Sequence, residues 1–314
     1  MKIFCHIPRE SWIVDRMGLE YSQYSRHEVS HESITEDTEV IWLLASWCWN
    51  QIPVTVLRNK KVICTIHHEV PWKMDENRIN NFKKRDEIVN HYLTYTEETK
   101  SLIQKYSDKP VTIIPHWIND NIWKKEEKEK ARFSLGVGKE KFLIGSFQRD
   151  TEGSDLITPK LEKGPDILLN VVKEISKTKN IHVLLSGWRR QYIIKELENS
   201  LIPYTYVELP SQEKINSLYN ALDLYVVSSR CEGGPQALFE CAYLEIPIIS
   251  TNVGQSNIIL DNSVIYDPEN LENLNFHLSE SALVNNKKNI YKYKISNHIK
   301  NYDNFLERIL TQEN

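Results

Sequence analysis

The sequence predicts an α/β protein made of two doubly wound domains facing each other across a cleft. Three observations carry that expectation. Short runs rich in Ile, Val, Tyr and Thr alternate with helix-like stretches, the pattern of a parallel sheet covered by helices on both sides. The alternation comes in two successive series, joined by the charged segment KKEEKEKARFSLGVGKEK at 124–141. The 314 residues are long for one compact α/β domain and sufficient for two, each with its own core.

In the first series KIFCHI (2–7), EVIWLLA (39–45), KVICTIH (61–67), HYLTYT (91–96) and VTIIP (111–115) read as strands. Segments 76–88 and 97–107 read as helices, the second capped by Thr96 ahead of Glu97 and Glu98. The second series runs strand FLIGSF (142–147), helix 164–178, strand IHVLLSG (181–187), helix RRQYIIKELENS, strand YTYVEL, helix 211–223, strand LYVVSS and strand IPIIST (246–251). The tail NNKKNIYKYKISNHIKNYDNFLERIL reads as one or two helices. The expected domains are therefore 1–115 and 116–291, with a C-terminal helix in 292–314 placed to pack back on the first.

Composition excludes several functions. The formal charge is -4, from 39 Lys+Arg against 43 Asp+Glu, without the basic excess of a nucleic-acid binder. The mixed runs FKKRDE and KKEEKEKAR read as solvated helix faces. No apolar run reaches the length of a membrane span. MKIFCHIPRESW turns polar too early for a signal peptide and reads as a first strand. Cys5, Cys48, Cys64, Cys231 and Cys241 are scattered, with no C-x-x-C, and read as reduced, structural thiols of a cytoplasmic protein. No D-x-D is present, and the neighbours His67 and His68 point to opposite faces of a strand, so no metal or cofactor is expected.

The chemistry concentrates in SSRCEGGPQALFECAYLEIPIIS (228–250). A strand ends at Ser229, and ligands of open parallel sheets sit beyond such carboxyl ends. Pro235 suits the first position of a helix. Gly233 and Gly234 leave room for a close approach to the backbone. The amides near Gln236, Ala237 and Leu238 make an anion site, with phosphate as the natural guest. Glu232 lies on the loop, and Glu240 about five residues, or roughly 7–8 Å, into the helix. Two carboxylates flanking a diphosphate match hydroxyls on either side, a sugar and a ribose. The alternative for each is a surface glutamate.

The stretch SLYNALDLYVVSSRCEGGPQALFECAYLEIPIISTNVG resembles the donor-domain core of the retaining glycosyltransferases of family 4, with their E-x7-E signature and GT-B fold of two Rossmann-like domains. The resemblance implies that Glu232 faces the transferred sugar and Glu240 binds the ribose. It also implies that Arg149 and Lys163, with Lys160 as an alternative, hold the diphosphate, and that His67 faces the donor sugar. YVELPSQEKINSLY resembles the segment that cradles the base, near Leu209 and Pro210. Two departures stand out: His116-Trp117 replaces an Asn-Gly, and HIPRESW replaces a Gly-rich turn, placing Arg9, Glu10 and Ser11 on the acceptor side. Trp12, Trp42, Trp47, Trp49 and Trp72 serve the core or line an acceptor surface.

The implied function is transfer of a sugar, with retention and without a metal, from a UDP-, GDP- or other nucleoside-diphosphate sugar to a carbohydrate or glycoconjugate hydroxyl, in surface polysaccharide or glycoconjugate synthesis. Peripheral association with the inner membrane face is compatible with that role, and no nucleic acid is expected. A non-catalytic nucleotide-sugar-binding subunit is the alternative. An oxidoreductase lacks its G-x-G-x-x-G after a strand.

Overall fold

The computed structural model of the chain describes residues 1–10, 13–153 and 155–311. The chain divides into two compact units, Met1–Trp117 with Tyr293–Asn314, and Ile118–Lys292.

The first unit contains β1 (Lys2–His6), α1 (Ile13–Tyr24), β2 (Glu28–Ser30), β3 (Val40–Leu43), α2 (Val54–Leu57), β4 (Lys61–Thr65), α3 (Glu76–Asp86), β5 (His91–Thr94), α4 (Glu97–Ile103) and β6 (Val111–Ile113). Its six strands are parallel, in the order β2-β1-β3-β4-β5-β6. The two-residue repeat of a strand sorts its side chains between two cores. Ile3, Cys5, Val40 and Trp42 meet Val14, Met17 and Tyr21 of α1, whereas Phe4, Ile41, Leu43 and Val62 meet Phe82 and Ile103. Each such buried aliphatic chain contributes roughly 1.5–3 kcal/mol. Helix α3 is capped by Asp75, which accepts the Arg78 amide at 2.8 Å, and α4 by Thr96, which accepts that of Thr99 at 3.1 Å.

The second unit contains α5 (Lys128–Phe133), β7 (Phe142–Ser146), α6 (Pro165–Ser176), β8 (Ile181–Ser186), α7 (Gln191–Asn199), β9 (Tyr204–Val207), α8 (Gln212–Asn220), β10 (Leu224–Val227), α9 (Gln236–Leu244), β11 (Ile248–Thr251), α10 (Ser256–Ile259), β12 (Ile265–Tyr266) and α11 (Glu280–Ile290). Its parallel order is β12-β11-β10-β7-β8-β9. The chain builds outward from β7 to β9, then crosses back to lay β10 on the other side of β7. Tyr225 stands opposite Gly145 at that seam.

The chain then re-enters the first unit as α12 (Ile295–Thr311). Ile295, Ile299, Tyr302, Phe305, Leu306 and Ile309 join the core that holds Trp42. The Tyr302 hydroxyl donates to the Pro115 carbonyl at 2.9 Å, and that of Tyr21 donates to the buried Asp303 at 2.9 Å.

Two expectations need correction. The charged runs are not wholly solvated. Arg85 in FKKRDE is buried and donates to the Ser46 carbonyl at 3.2 Å, with its guanidinium over the Phe82 ring. Arg132 in KKEEKEKAR is buried, donates to the Ala221 carbonyl at 2.9 Å and pairs with Asp223. A guanidinium is buried where fixed oxygens meet its planar fork. Nor is 124–141 a bare connector: it contains α5, and Asn216 and Asn220 of α8 grip the backbone of Lys124 and Glu126 at 2.9 Å.

Cys5, Cys48, Cys64 and Cys241 are buried free thiols, and Cys231 is a half-buried one. Burial pushes the Cys64 thiol up to about 12, far from the range of a reactive cysteine. Among the described residues no helix is long and apolar enough to cross a membrane.

Candidate functional site

In the second unit the sheet changes direction between β7 and β10, and such a switch point opens a crevice at the carboxyl ends of the strands. The residues beyond those ends are Gln148 and Arg149 after β7, and Ser228 to Pro235 after β10. Ser228 and Ser229 are buried. Helix α9 begins at Gln236, one residue later than expected, with Pro235 as its cap at φ −57°. Leu238 is not a free donor, since its amide bonds the Pro235 carbonyl at 3.0 Å. The orphan amides of the first turn are thus those of Gln236 and Ala237. Gly254, at φ +58°, closes on this loop: a Cβ there would lie 3.1 Å from the Gly234 nitrogen and from Pro235 Cδ.

The turn before α6 approaches from the other side. Lys163 precedes Gly164, which is left-handed at φ +59° and followed by Pro165. A Cβ on Gly164 would lie 1.8 Å from the Ser228 carbonyl oxygen, so only glycine lets this turn reach the end of β10. Gln148 completes the junction. Its Nε2 donates to the Lys163 carbonyl at 2.8 Å and lies 3.3 Å from Ser228 Oγ, and its Oε1 accepts from Ser229 Oγ at 3.3 Å.

The structure therefore brings Lys163 and Glu232 together. Lys163 Nζ pairs with Glu232 Oε1, which also accepts from Ser229 Oγ at 3.2 Å. Lys160 instead lies 3.5 Å from the buried Glu162, and burial, then the Lys163 charge, lowers its pKa. Arg149 donates through Nε to the Thr151 carbonyl at 2.8 Å. Burial, then Arg189 nearby, lowers its pKa, against the opposing pull of Glu152 and Glu162.

Glu240, the fifth residue of α9, is buried, which excludes the surface alternative. Its Oε2 accepts from the Tyr219 hydroxyl at 2.6 Å. Burial, then the Glu240 charge, holds the Tyr219 phenol well above its ordinary pKa, so it stays a donor. Leu209 is exposed, with φ at +43°.

The first unit carries its own cluster. His67 Nε2 lies 3.0 Å from the Leu44 carbonyl, and its ring lies 5.3 Å from Tyr95, 6.1 Å from Trp47 and 6.2 Å from His116. Trp47 Nε1 donates to Glu10 Oε1 at 3.3 Å, which connects Glu10 to the His67 cluster. Arg9, at φ +57°, turns to other partners: its guanidinium donates to the His31 carbonyl at 3.1 Å and to Glu32 at 3.3 Å. Ser11 and Trp12 lie outside the described residues. Trp42 and Trp49 belong to the cores, while Trp47 and Trp72 are exposed. Burial, then His67, holds the His116 imidazole well below its ordinary pKa. Among the described residues no group of three or more His, Cys, Asp and Glu side chains could hold a metal ion.

Sequence reasoning missed Gln148, Tyr219, Gly254 and a buried pair, in which Arg190 Nε lies 3.2 Å from Asp150 Oδ2. The nearest signal was position: Gln148 and Asp150 flank Arg149.

Comparison with known proteins agrees with this fold. Residues 156–280 match the family model described as Glycosyl transferases group 1. No curated protein sequence matches the chain. Among solved structures the chain is similar to Anabaena HepE in complex with UDP and glucose, at 11% identity and a TM-score of 0.76, covering 98% of this chain and 100% of that one. A glycosyltransferase from Rickettsia africae aligns at 14% identity and a TM-score of 0.72, over 99% of both chains. The sucrose-phosphate synthase of Thermosynechococcus elongatus aligns at 14% identity and a TM-score of 0.67, over 98% of this chain and 81% of its own. The fold is that of the GT-B glycosyltransferases, two Rossmann-like units each built on a parallel six-stranded sheet. Within that fold, the family match falls on residues 156–280, inside the second unit.

Proposed function

We propose that the chain is a retaining glycosyltransferase of family 4 that moves a sugar from a nucleoside-diphosphate sugar to a hydroxyl of a carbohydrate or glycoconjugate acceptor. The observation that carries this reading is the Lys163–Glu232 ion pair at the β7/β10 switch point, on the loop that leads into α9. The E-x7-E glutamates divide the work: Glu232 orients the transferred sugar, and the buried Glu240, aimed by Tyr219, takes the ribose hydroxyls.

As the bond from the sugar's anomeric carbon to the phosphate oxygen breaks, negative charge grows on the leaving diphosphate. Lys163, Arg149 and the amides of Gln236 and Ala237 stabilise it without a metal. The acceptor oxygen bonds the anomeric carbon from the same face, and its proton passes to the departing phosphate oxygen. Glu232 balances positive charge at the reacting carbon and forms no covalent bond. In the first unit Glu10 is assigned to the acceptor and His67 to the donor sugar. Surface polysaccharide or glycoconjugate synthesis in the cytoplasm, at the inner membrane face, suits such a transfer.

A thermal-shift screen against common nucleotide-sugars identifies the donor, because a ligand specific to the folded state raises its apparent stability. Release of free sugar from that donor then separates an enzyme from a mere binder. Glu232→Ala and Glu240→Ala should each lose at least about 1.4 kcal/mol of transition-state stabilisation, tenfold or more in rate. Wild-type rates in both variants would defeat the assignment.

A further inference from the structure

Lys163 and Glu232 form an ion pair at the place where the proposed diphosphate sits. Their side chains are only 18% and 9% exposed, so both charges are largely shielded from water. The pair is held on both flanks. Ser229 Oγ donates to Glu232 Oε1 at 3.2 Å, and Gln148 holds both Ser229 and the Lys163 carbonyl. The Glu162 carbonyl accepts the amides of Arg230 and Cys231 at 2.8 and 3.1 Å. Arg230 grips Asp166 through two bonds of 2.8 and 2.6 Å. Two anchored turns therefore keep one ammonium against one carboxylate.

We propose that Glu232 is an internal stand-in for the donor's diphosphate on Lys163, and that carboxylate and diphosphate exchange at this ammonium in every turnover. The inference rests on the reading of the site as a nucleotide-sugar site. A shielded ammonium without an anion is costly, and Glu232 removes that cost while the site is empty. An arriving diphosphate takes over Nζ, which releases Glu232 to the sugar hydroxyls. After transfer the carboxylate competes with the nucleoside diphosphate for the same ammonium. Glu232 thus weakens product binding and speeds product release, a role separate from orienting the sugar.

Titration calorimetry of the full chain with UDP, GDP, ADP, CDP and dTDP tests this in the wild type, Glu232→Gln, Lys163→Met and the double variant. For the nucleotide that binds, Glu232→Gln should bind about fivefold tighter than the wild type, although it transfers sugar more slowly. Lys163→Met should bind about tenfold more weakly, and the double variant no tighter than Lys163→Met alone. A gain from Glu232→Gln that persists without Lys163 would reflect only the loss of a negative charge and would overturn the exchange. Equal or weaker binding by a folded Glu232→Gln would also overturn it, while leaving the donor site intact. If no nucleotide binds the wild type or Glu232→Gln, the donor-site reading fails and the exchange fails with it.

Discussion

Gly164→Ala is the substitution whose effect the structure specifies most closely. The new Cβ would stand 1.8 Å from the Ser228 carbonyl oxygen and 2.9 Å from its carbon, both backbone atoms that no rotamer can move. A carbon–oxygen contact relaxes near 3.3 Å, so the turn must withdraw by roughly 1.5 Å. That movement strips the Lys163 carbonyl of the bonds from Gln148 at 2.8 Å and Ser228 at 3.2 Å, at about 1 kcal/mol each. The left-handed backbone adds roughly 1–2 kcal/mol for a residue with a Cβ. The expected loss is about 3–4 kcal/mol in urea unfolding of the second unit, with a tenfold or greater loss of nucleotide affinity as Lys163 retreats. Gly153→Ala is the control. Its φ of +50° is also left-handed, but an added Cβ meets nothing within 4 Å, so only the backbone cost of about 1–2 kcal/mol should appear. Equal unfolding midpoints for the two variants, with wild-type nucleotide binding in Gly164→Ala, would refute the reasoning.

Other expectations concern charge and the remaining site residues. Burial holds His116 well below its ordinary pKa and His91 at about 4, so the unfolded chain takes up protons first. The contribution of these two histidines to first-unit stability is therefore full above about pH 6.5 and falls as the pH drops below it, by up to about 1.4 kcal/mol per pH unit for each. Asp150 in the second unit has the opposite sign. Burial raises it to about 6 against the pull of Arg190, so the folded state protonates first and gains stability between about pH 6 and 4. Calorimetry from pH 7.5 to 5 should show the first unit losing ground to the second, and transitions that move together would contradict this. Tyr219→Phe deletes the 2.6 Å bond to Glu240, and about 1.5 kcal/mol from a charged acceptor should appear as roughly a tenfold rise in donor KM with kcat little changed. Lys163→Met should cut transfer at least tenfold, whereas Lys160→Met, which removes a contact to Glu162, should change it less than threefold. Reversed effects would move the diphosphate contact to Lys160.

The strands were readable because their composition is local: buried Ile, Val and Leu dominate β3, β8, β10 and β11, and Tyr, Thr and Val mark the half-buried β9. Strand β2, EVS at an edge, and the two-residue β12 carry too few apolar groups to register. The E-x7-E interval was legible for the same reason, since both glutamates sit on one loop–helix unit. Contacts that join distant positions were not. Gln148 reaches Lys163, Ser228 and Ser229 across 15, 80 and 81 positions, and Tyr219 reaches Glu240 across 21. No periodicity announces such partners. Arg132 and Arg85 show the converse limit: charge alone says surface, but the carbonyls that admit each of them underground come from residues 221 and 46.

The return of α12 has a consequence for synthesis. Six of the 21 buried residues in the core around Trp42 come from α12, which leaves the ribosome only after the whole of Ile118–Lys292. At roughly 5–20 residues per second, that leaves on the order of ten seconds or more in which the nascent β1–β6 sheet shows an open apolar flank. The second unit is one continuous stretch, Ile118–Lys292, and can finish first. A chaperone that shields nascent chains should therefore dwell on the amino-terminal third, and a stop codon ahead of Ile295 should harm the part of the protein made earliest.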